Sequence, residues 1–270
     1  SFAPSGGDDQ PLDQALNSLQ GTLSGLVDSG SANGTASAIQ NALTQVGDAL
    51  DKIARRCGHE PVRTQDSPGF LVNHAGRGFY TEGLRIAQEK IAAFSDIDDV
   101  LRDGAAGFRM GPFELTDLIG HDVNTATTRS VWASWNEPAR LSPVYAQEAL
   151  VAAGDLGRKS GCGVYDHSGE TPVAVLRPGQ DAPALTKALT TVATDFAARA
   201  SDTAGDLPAP LQVALMRILC GLFNEALWAR ADGVADDAAI DTAMRFGVNY
   251  PKGPFQWMKP GWVTTAAPLF

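Results

Sequence analysis

The chain is poor in cysteine, in aromatic residues and, over its first fifth, in positive charge. Only three of its 270 residues are cysteine: Cys57, Cys162 and Cys220. They are far apart and odd in number, which argues against a disulfide framework or a cysteine zinc site and makes a reducing, cytoplasmic compartment the expectation. No Lys or Arg precedes Lys52, so no secretory signal is expected, because its n-region needs positive charge. No run of 18 uninterrupted apolar residues occurs, and no transmembrane helix is predicted. Acidic residues number 31 against 21 basic ones, a formal net charge of −10. Such a field repels phosphate backbones and anionic lipid, so neither nucleic acid nor a membrane surface is the expected partner. GxGxxG, GxxxxGK[ST] and HExxH are all missing. His59, His74, His121 and His167 are not spaced to share an ion, so no metal site is predicted.

What is present is a globular composition, 44% hydrophobic and 19% charged, long enough for one large or two modest domains. Residues 1–11 read as a loose, small and polar tail. Leu12, Leu16, Leu19, Leu23 and Leu26 then step by four and three, which predicts a helix over about 13–27. Ile39, Leu43, Val46, Leu50 and Ile53 predict a second over about 35–56. Residues 1–51 hold six Asp and no basic residue, a layer distinct from the rest. Downstream, Ser67-Pro68 opens a helix predicted to run to Lys90, Pro sitting at its first position. Further helices are predicted over 96–102, from Pro112, over 123–134, 144–153, 184–200 and 211–231. Thr171–Leu176 could be a strand, and Leu207–Pro210 reads as a linker. So little strand predicts an all-α fold.

Self-comparison reveals an internal repeat. Phe79-Tyr-Thr-Glu82 aligns with Leu222-Phe-Asn-Glu225 at a separation of 143, in step with Asp96-Ile97-Asp98 on Ala239-Ile240-Asp241 and Gly104 on Gly247. After one extra residue in the first copy, Met110-Gly111-Pro112-Phe113 aligns with Lys252-Gly253-Pro254-Phe255. Gly104 and Gly247 are expected to close helices in the left-handed conformation. A duplicated helical unit buries its apolar face against its twin, so a pseudo-two-fold pair is expected. The organisation read from the sequence is a tail and helical hairpin (1–56), a first helical domain (57–168), a linker with a possible strand and helix (169–210) and a shortened second repeat (211–270).

By residue type alone, Asn73 reads as a capping or interface amide that could also hold a substrate oxygen. Arg158 and Lys159 read as a solvated turn that could meet phosphate or carboxylate. The glycines of Gly157–Gly163 read as a structural turn, since no βαβ unit surrounds them.

Three stretches occur in order: Asp66-Ser-Pro-Gly-Phe-Leu-Val-Asn73, Met110-Gly-Pro-Phe-Glu-Leu-Thr-Asp-Leu-Ile-Gly120 and Leu156-Gly-Arg-Lys-Ser-Gly-Cys-Gly-Val-Tyr-Asp166. Together they resemble the C-terminal helical domain of the 3-hydroxyacyl-CoA dehydrogenases. Ile240–Pro254 resembles the repeated domain of the longer bacterial members, which act on 3-hydroxybutyryl-CoA or 3-hydroxyadipyl-CoA in fatty-acid or aromatic-acid degradation. The resemblance covers roughly residues 44–168 and 209–262. It implies an NAD-dependent oxidoreductase in which a Rossmann domain binds NAD and carries a His–Glu pair. The helical domain closes the cleft, forms the dimer and supplies one Asn near the thioester, here Asn73. Phe70, Met110 and Pro112 would lie along the acyl chain of the acyl-CoA.

The sequence departs from that pattern upstream. Only 43 residues precede the match, without a histidine, whereas a Rossmann domain takes about 150–180. This chain alone is therefore expected to bind no cofactor and to be inactive by itself, its partner being a separate NAD domain or a further copy. His74 stands where the family usually has Arg, His59 where a Lys precedes the Pro-Val step, and the last motif, Trp257–Gly261, is shortened. The alternative expectation is a helical association module, docking through the Leu12–Leu26 stripe onto an NAD domain or a full-length homologue.

Overall fold

Helical periodicity and proline-opened helix starts dominate the sequence, and the computed structural model is correspondingly helical. It describes residues 10–29, 32–102, 106–174 and 184–258, in two units, Ser1–Pro61 and Val62–Phe270. In the first unit, α1 (Gln10–Ser29) and α2 (Ala32–Arg56) pack as a hairpin. Among its described side chains those buried are Ala15, Ala42 and Ala49, while Leu16, Leu43 and Leu50 stay about half exposed. Of the leucine stripe that periodicity assigns to a buried face, Leu16 is thus turned outward and Leu19 is half-buried. The N-terminal residues read as a loose tail lie mostly outside the described residues.

The second unit contains α3 (Val72–Ala75), α4 (Arg77–Gln88), α5 (Phe94–Arg102), α6 (Pro112–Ile119), α7 (His121–Ser134), α8 (Tyr145–Ala153), α9 (Lys187–Ala200), α10 (Ala209–Ala231), α11 (Asp237–Gly247) and α12 (Pro254–Trp257). The strands described are two-residue pieces, β1 (Tyr165–Asp166) and β2 (Val173–Ala174), paired antiparallel with Tyr165 opposite Ala174. Of the strand expected over 171–176, Thr171 and Pro172 are not strand, and residues 175 and 176 lie outside the described residues. At the centre runs α10, against α3, α4, α5, α9 and α12. By length and composition α10 could cross a membrane, yet it is buried along most of its length by these neighbours.

Two boundaries differ from expectation. The helix predicted from Pro68 to Lys90 is broken. Gly69 and Phe70 take positive φ, 80° and 46°, so Pro68 leads into a tight turn and the helix begins only at Val72. Gly76 then separates α3 from α4. A side chain there would meet the Val72 carbonyl oxygen at 2.7 Å and the Met244 methyl at 3.2 Å. The expected linker at 207–210 is instead the start of α10: Pro208 caps it and Pro210 sits in its first turn, where no amide donor is required.

The repeat forms a paired core. Gly78 and its equivalent Gly221 face each other where α4 crosses α10, and a Cβ on Gly78 would lie 2.8 Å from the Gly221 carbonyl carbon. Phe108 and Tyr250, equivalent when counted back from Gly-Pro-Phe, meet edge to face at 4.9 Å. Self-equivalent contacts of this kind arise on a two-fold axis. Each copy also uses one acid in one way. Asp98 accepts the amides of Phe113 and Glu114 at the start of α6, and Asp241 accepts those of Phe255 and Gln256 at the start of α12. These bonds satisfy donors that a helix start otherwise leaves open. The left-handed closure expected at Gly247 falls elsewhere. Gly247 stays in α11, Gly104 lies outside the described residues, and the positive φ belongs to Gly107 and Asn249, 74° and 57°, again equivalent positions.

Candidate functional site

The glycine loop after α8 is shaped by one carboxylate. Asp117, at the end of α6, accepts the amides of Val164 and Tyr165 at 3.0 Å each, and Nε2 of His121 at 2.7 Å and of His167 at 2.8 Å. Burial acts to raise its pKa, but bonds from His121, His167 and the two amides outweigh burial and hold it below the usual carboxylate range. Any Cβ on Gly157 or Gly163 would fall within 2.4 Å of Asp117 atoms. Gly163 therefore admits the Asp117 carboxylate and Gly157 the Asp117 main chain, so both glycines answer to the packing of Asp117 and not to a phosphate cradle. Together with the two-residue strands, this means that the described residues do not fit a dinucleotide. Nor do three His, Cys, Asp or Glu side chains converge as a metal-ligand set among them.

Phe70 and Asn73 stand together at the turn into α3. The left-handed turn throws the Phe70 ring outward, 63% exposed, with Phe70 N–H bonded to the Ser67 carbonyl at 2.8 Å. Such strain in a non-glycine residue costs on the order of 1 kcal/mol and concentrates at functional positions. Val131 of α7 packs under Gly69 so closely that a Cβ there would lie 2.8 Å away. Asn73 is exposed one helical turn before Arg77. Arg77 Nη2 donates to Asn73 Oδ1 at 3.0 Å, and its Nε to the Asn73 carbonyl at 3.3 Å. With Oδ1 engaged, the amide offers its Nδ2–H groups outward, as donors. The surface is thus an aromatic face beside a hydrogen-bond donor, suited to an apolar chain ending in a carbonyl.

The other resemblance-derived positions lie apart. Pro112 is buried, its ring over Gly83 of α4, about 9 Å beyond Arg77 at about 1.5 Å of rise per residue. It has a packing role. Met110 is half-buried in the approach to α6. Lys159 pairs with Asp122, while Arg158 lines a groove of about 760 Å³ with Arg102, Glu114, Tyr165 and His167, separate from Asn73 in the sequence and in its lining.

Behind Asn73, His74 points into the core against the Trp135 ring, centroids 4.9 Å apart. Its Nε2 is 3.6 Å from Glu225, and neither ring nitrogen has a hydrogen-bond partner among the described residues. Burial, joined by the positive charge of Arg140 and opposed by Asp232, lowers its pKa to about 4. In the twin copy, the equivalent of His74 is Arg217, which pairs with Glu82 at 2.6 Å. Where the first copy lacks that arginine, Arg140 supplies the cation to Glu225, at 2.6 Å. The equivalents of Asn73 and Arg77 are Met216, fully buried, and Cys220. Sequence reasoning missed Arg77. An i, i+4 spacing from Asn73 was the available signal.

Comparison with known proteins agrees with this architecture. The family described as 3-hydroxyacyl-CoA dehydrogenase, C-terminal domain, matches residues 69–167 and 214–261. A 3-hydroxyadipyl-CoA dehydrogenase of Escherichia coli (strain K12) is 36% identical over 276 aligned residues, 81% of this chain and 58% of that protein. The mitochondrial hydroxyacyl-coenzyme A dehydrogenase of Sus scrofa is 34% identical over 124 residues, 44% of this chain and 38% of its own length. The crystal structure of a 3-hydroxybutyryl-CoA dehydrogenase from Escherichia coli K12 superposes with a TM-score of 0.62 at 32% identity, covering 83% of this chain and 58% of that one. The chain thus spans little more than half the length of these two Escherichia coli relatives.

Proposed function

This chain belongs to the 3-hydroxyacyl-CoA dehydrogenase family through that family's C-terminal domain, and we propose on that premise that it forms the acyl-CoA wall of a dehydrogenase cleft interconverting (3S)-hydroxyacyl-CoA and 3-oxoacyl-CoA. The observation that carries the reading is the exposed, oriented amide of Asn73 beside the outward ring of Phe70. A thioester carbonyl or C3 oxygen is an acceptor, and Nδ2–H is the donor that complements it. Negative charge gathers on the C3 oxygen as its proton is removed, so a donor placed there favours the transition state. Phe70 offers the apolar face for the first carbons of the chain. NAD, the hydride acceptor in this family, and the His–Glu base pair are assigned to a separate domain, since the described residues fit no dinucleotide.

The test is NADH oxidation with acetoacetyl-CoA. The purified chain alone is expected to match the blank, and mixing with the NAD domain of the E. coli relative to give turnover. Asn73→Ala should lower kcat about 10²-fold, the loss of one such donor. Turnover by the chain alone would overturn the division of labour between domains, and an unchanged rate in Asn73→Ala the role of Asn73. A second reading, a helical association module, is favoured by the half-exposed Leu16, Leu43 and Leu50. Light scattering with and without a full-length relative decides it, and monomers under both conditions would remove it.

A further inference from the structure

Arg77 is buried, 2% exposed, and among the described residues no carboxylate pairs with its guanidinium. A buried cation without a counter-ion is unfavourable for folding, and burial draws its pKa down. What the guanidinium does instead is grip Asn73. Two of its nitrogens donate to Asn73, Nη2 to the side-chain oxygen at 3.0 Å and Nε to the main-chain carbonyl at 3.3 Å. A third, Nη1, donates to Thr128 Oγ1 at 3.1 Å. The Thr128 hydroxyl is itself fixed, donating to the Asn124 carbonyl at 2.9 Å, and the Tyr80 ring lies 5.2 Å from the guanidinium carbon. The cation is thus anchored to α7 before it reaches the amide.

An exposed asparagine amide can turn over, exchanging oxygen for nitrogen at little cost. A guanidinium has donors only, so one orientation alone is compatible with Arg77: Oδ1 inward, NH₂ outward. The internal repeat supplies an independent comparison within the same chain. Where the second copy has Met216 in place of Asn73, it has Cys220 in place of Arg77. The copy without the amide is also without the cation.

We infer that Arg77 is a positioning residue whose task is to fix the orientation of the Asn73 amide, so that a donor and not an acceptor faces the acyl-CoA oxygen. This rests on the reading of Asn73 given above, and deepens it.

The experiment compares the chain with Arg77→Met and Arg77→Lys by NMR of ¹⁵N-asparagine-labelled protein, the Asn73 side-chain signals being identified by their loss in Asn73→Ala. In the unaltered chain the Nδ2 group of Asn73 is expected to have an order parameter near that of rigid backbone, about 0.85. In Arg77→Met it should fall below about 0.6, the range of flexible groups such as exposed Asn41. Arg77→Lys, which keeps one donor but cannot span Thr128 and Asn73 together, should lie between. Arg77→Met exchanges an uncompensated buried charge for an apolar side chain of similar length, so its Tm should stay within about 3 °C of the parent or rise. Undiminished order in both variants, or an Arg77→Met chain that no longer folds, would overturn the inference, since either shows a residue that merely fills space. The measurement needs no substrate, so its failure is distinct from a failure of the Asn73→Ala turnover test.

Discussion

His74 makes this fold sensitive to mild acid, and the effect can be sized. Its ring is fully buried, with Glu225 at 3.6 Å on α10, Arg140 beyond Glu225, and Asp232 just after α10. Burial and Arg140 bring its pKa from 6.5 to about 4. A histidine with a lowered pKa is held neutral by the fold, while the unfolded chain takes up its proton first. The stabilisation is therefore complete above about pH 6.5, falls as the pH drops toward 4, and changes no further once both states are protonated. At about 1.4 kcal/mol per pKa unit the full loss is on the order of 3 kcal/mol, a large share of the 5–15 kcal/mol that holds a typical domain together. The comparison variant is His74→Phe, which keeps a ring against Trp135 but carries no proton. Urea unfolding followed by tryptophan fluorescence at pH 7.5, 5.5 and 4.5 reads both proteins. Glu225, whose pKa burial raises despite Arg140, titrates in both and largely cancels from the difference. The unaltered chain should lose roughly 3 kcal/mol relative to the variant between about pH 6.5 and 4. Parallel stability curves would refute the reasoning and show His74 to be paired or solvated in solution.

Three further outcomes follow from the packing. Asp98→Ala orphans three donors, the amides of Phe113 and Glu114 and the Tyr165 hydroxyl at 2.7 Å, whereas Asp241→Ala orphans two amides. Both should destabilise by several kcal/mol, Asp98→Ala more by about 1 kcal/mol in chemical denaturation, the net worth of one further hydrogen bond. Gly78→Ala drives a methyl group to within 2.8 Å of the Gly221 backbone, which cannot yield as a side chain would. A loss of about 1–3 kcal/mol, or several degrees in Tm by calorimetry, is expected, while Gly21→Ala, with open space around it in α1, should be neutral or stabilising. Asp117→Asn turns a donor toward groups that themselves donate. The new amide keeps one acceptor oxygen, so exchange of one of the Val164 and Tyr165 amides, the one left facing the NH₂, should quicken about tenfold in a peptide spanning both by hydrogen-exchange mass spectrometry, with α10 unaffected.

The sequence made visible what short-range pattern controls. Leucine and isoleucine spacing located α1 and α2, and Pro112 and Pro254 marked the starts of α6 and α12, because a missing amide is tolerated only within a helix's own first turn. The repeat was visible because Asp98 with Gly111 and Asp241 with Gly253 form a contact that tolerates few substitutes. What was not visible depends on partners distant in the chain. Gly157 and Gly163 read only as a turn until Asp117, some 40 residues earlier, was found against them. The glycine at 76 answers in part to Met244, from the other copy, whose methyl would lie 3.2 Å from any Cβ there. The exposure of Leu16, Leu43 and Leu50 could not be foreseen, since a 3.6-residue period identifies an apolar face but not which neighbour, if any, covers it. The site lay between these cases. Asn73 and Phe70 were nameable from motif resemblance, but the grip of Arg77 on the amide oxygen is a matter of side-chain direction, to which residue patterns are blind.

Met216 and Cys220, lodged where the other copy holds Asn73 and Arg77, give the duplication a stoichiometric consequence. On the reading proposed for Asn73, only the first copy carries the donor amide and its guanidinium, and the second packs against it at Gly78 and Gly221. Under that proposal a titration of the completed cleft with acyl-CoA should saturate at one equivalent per polypeptide rather than two.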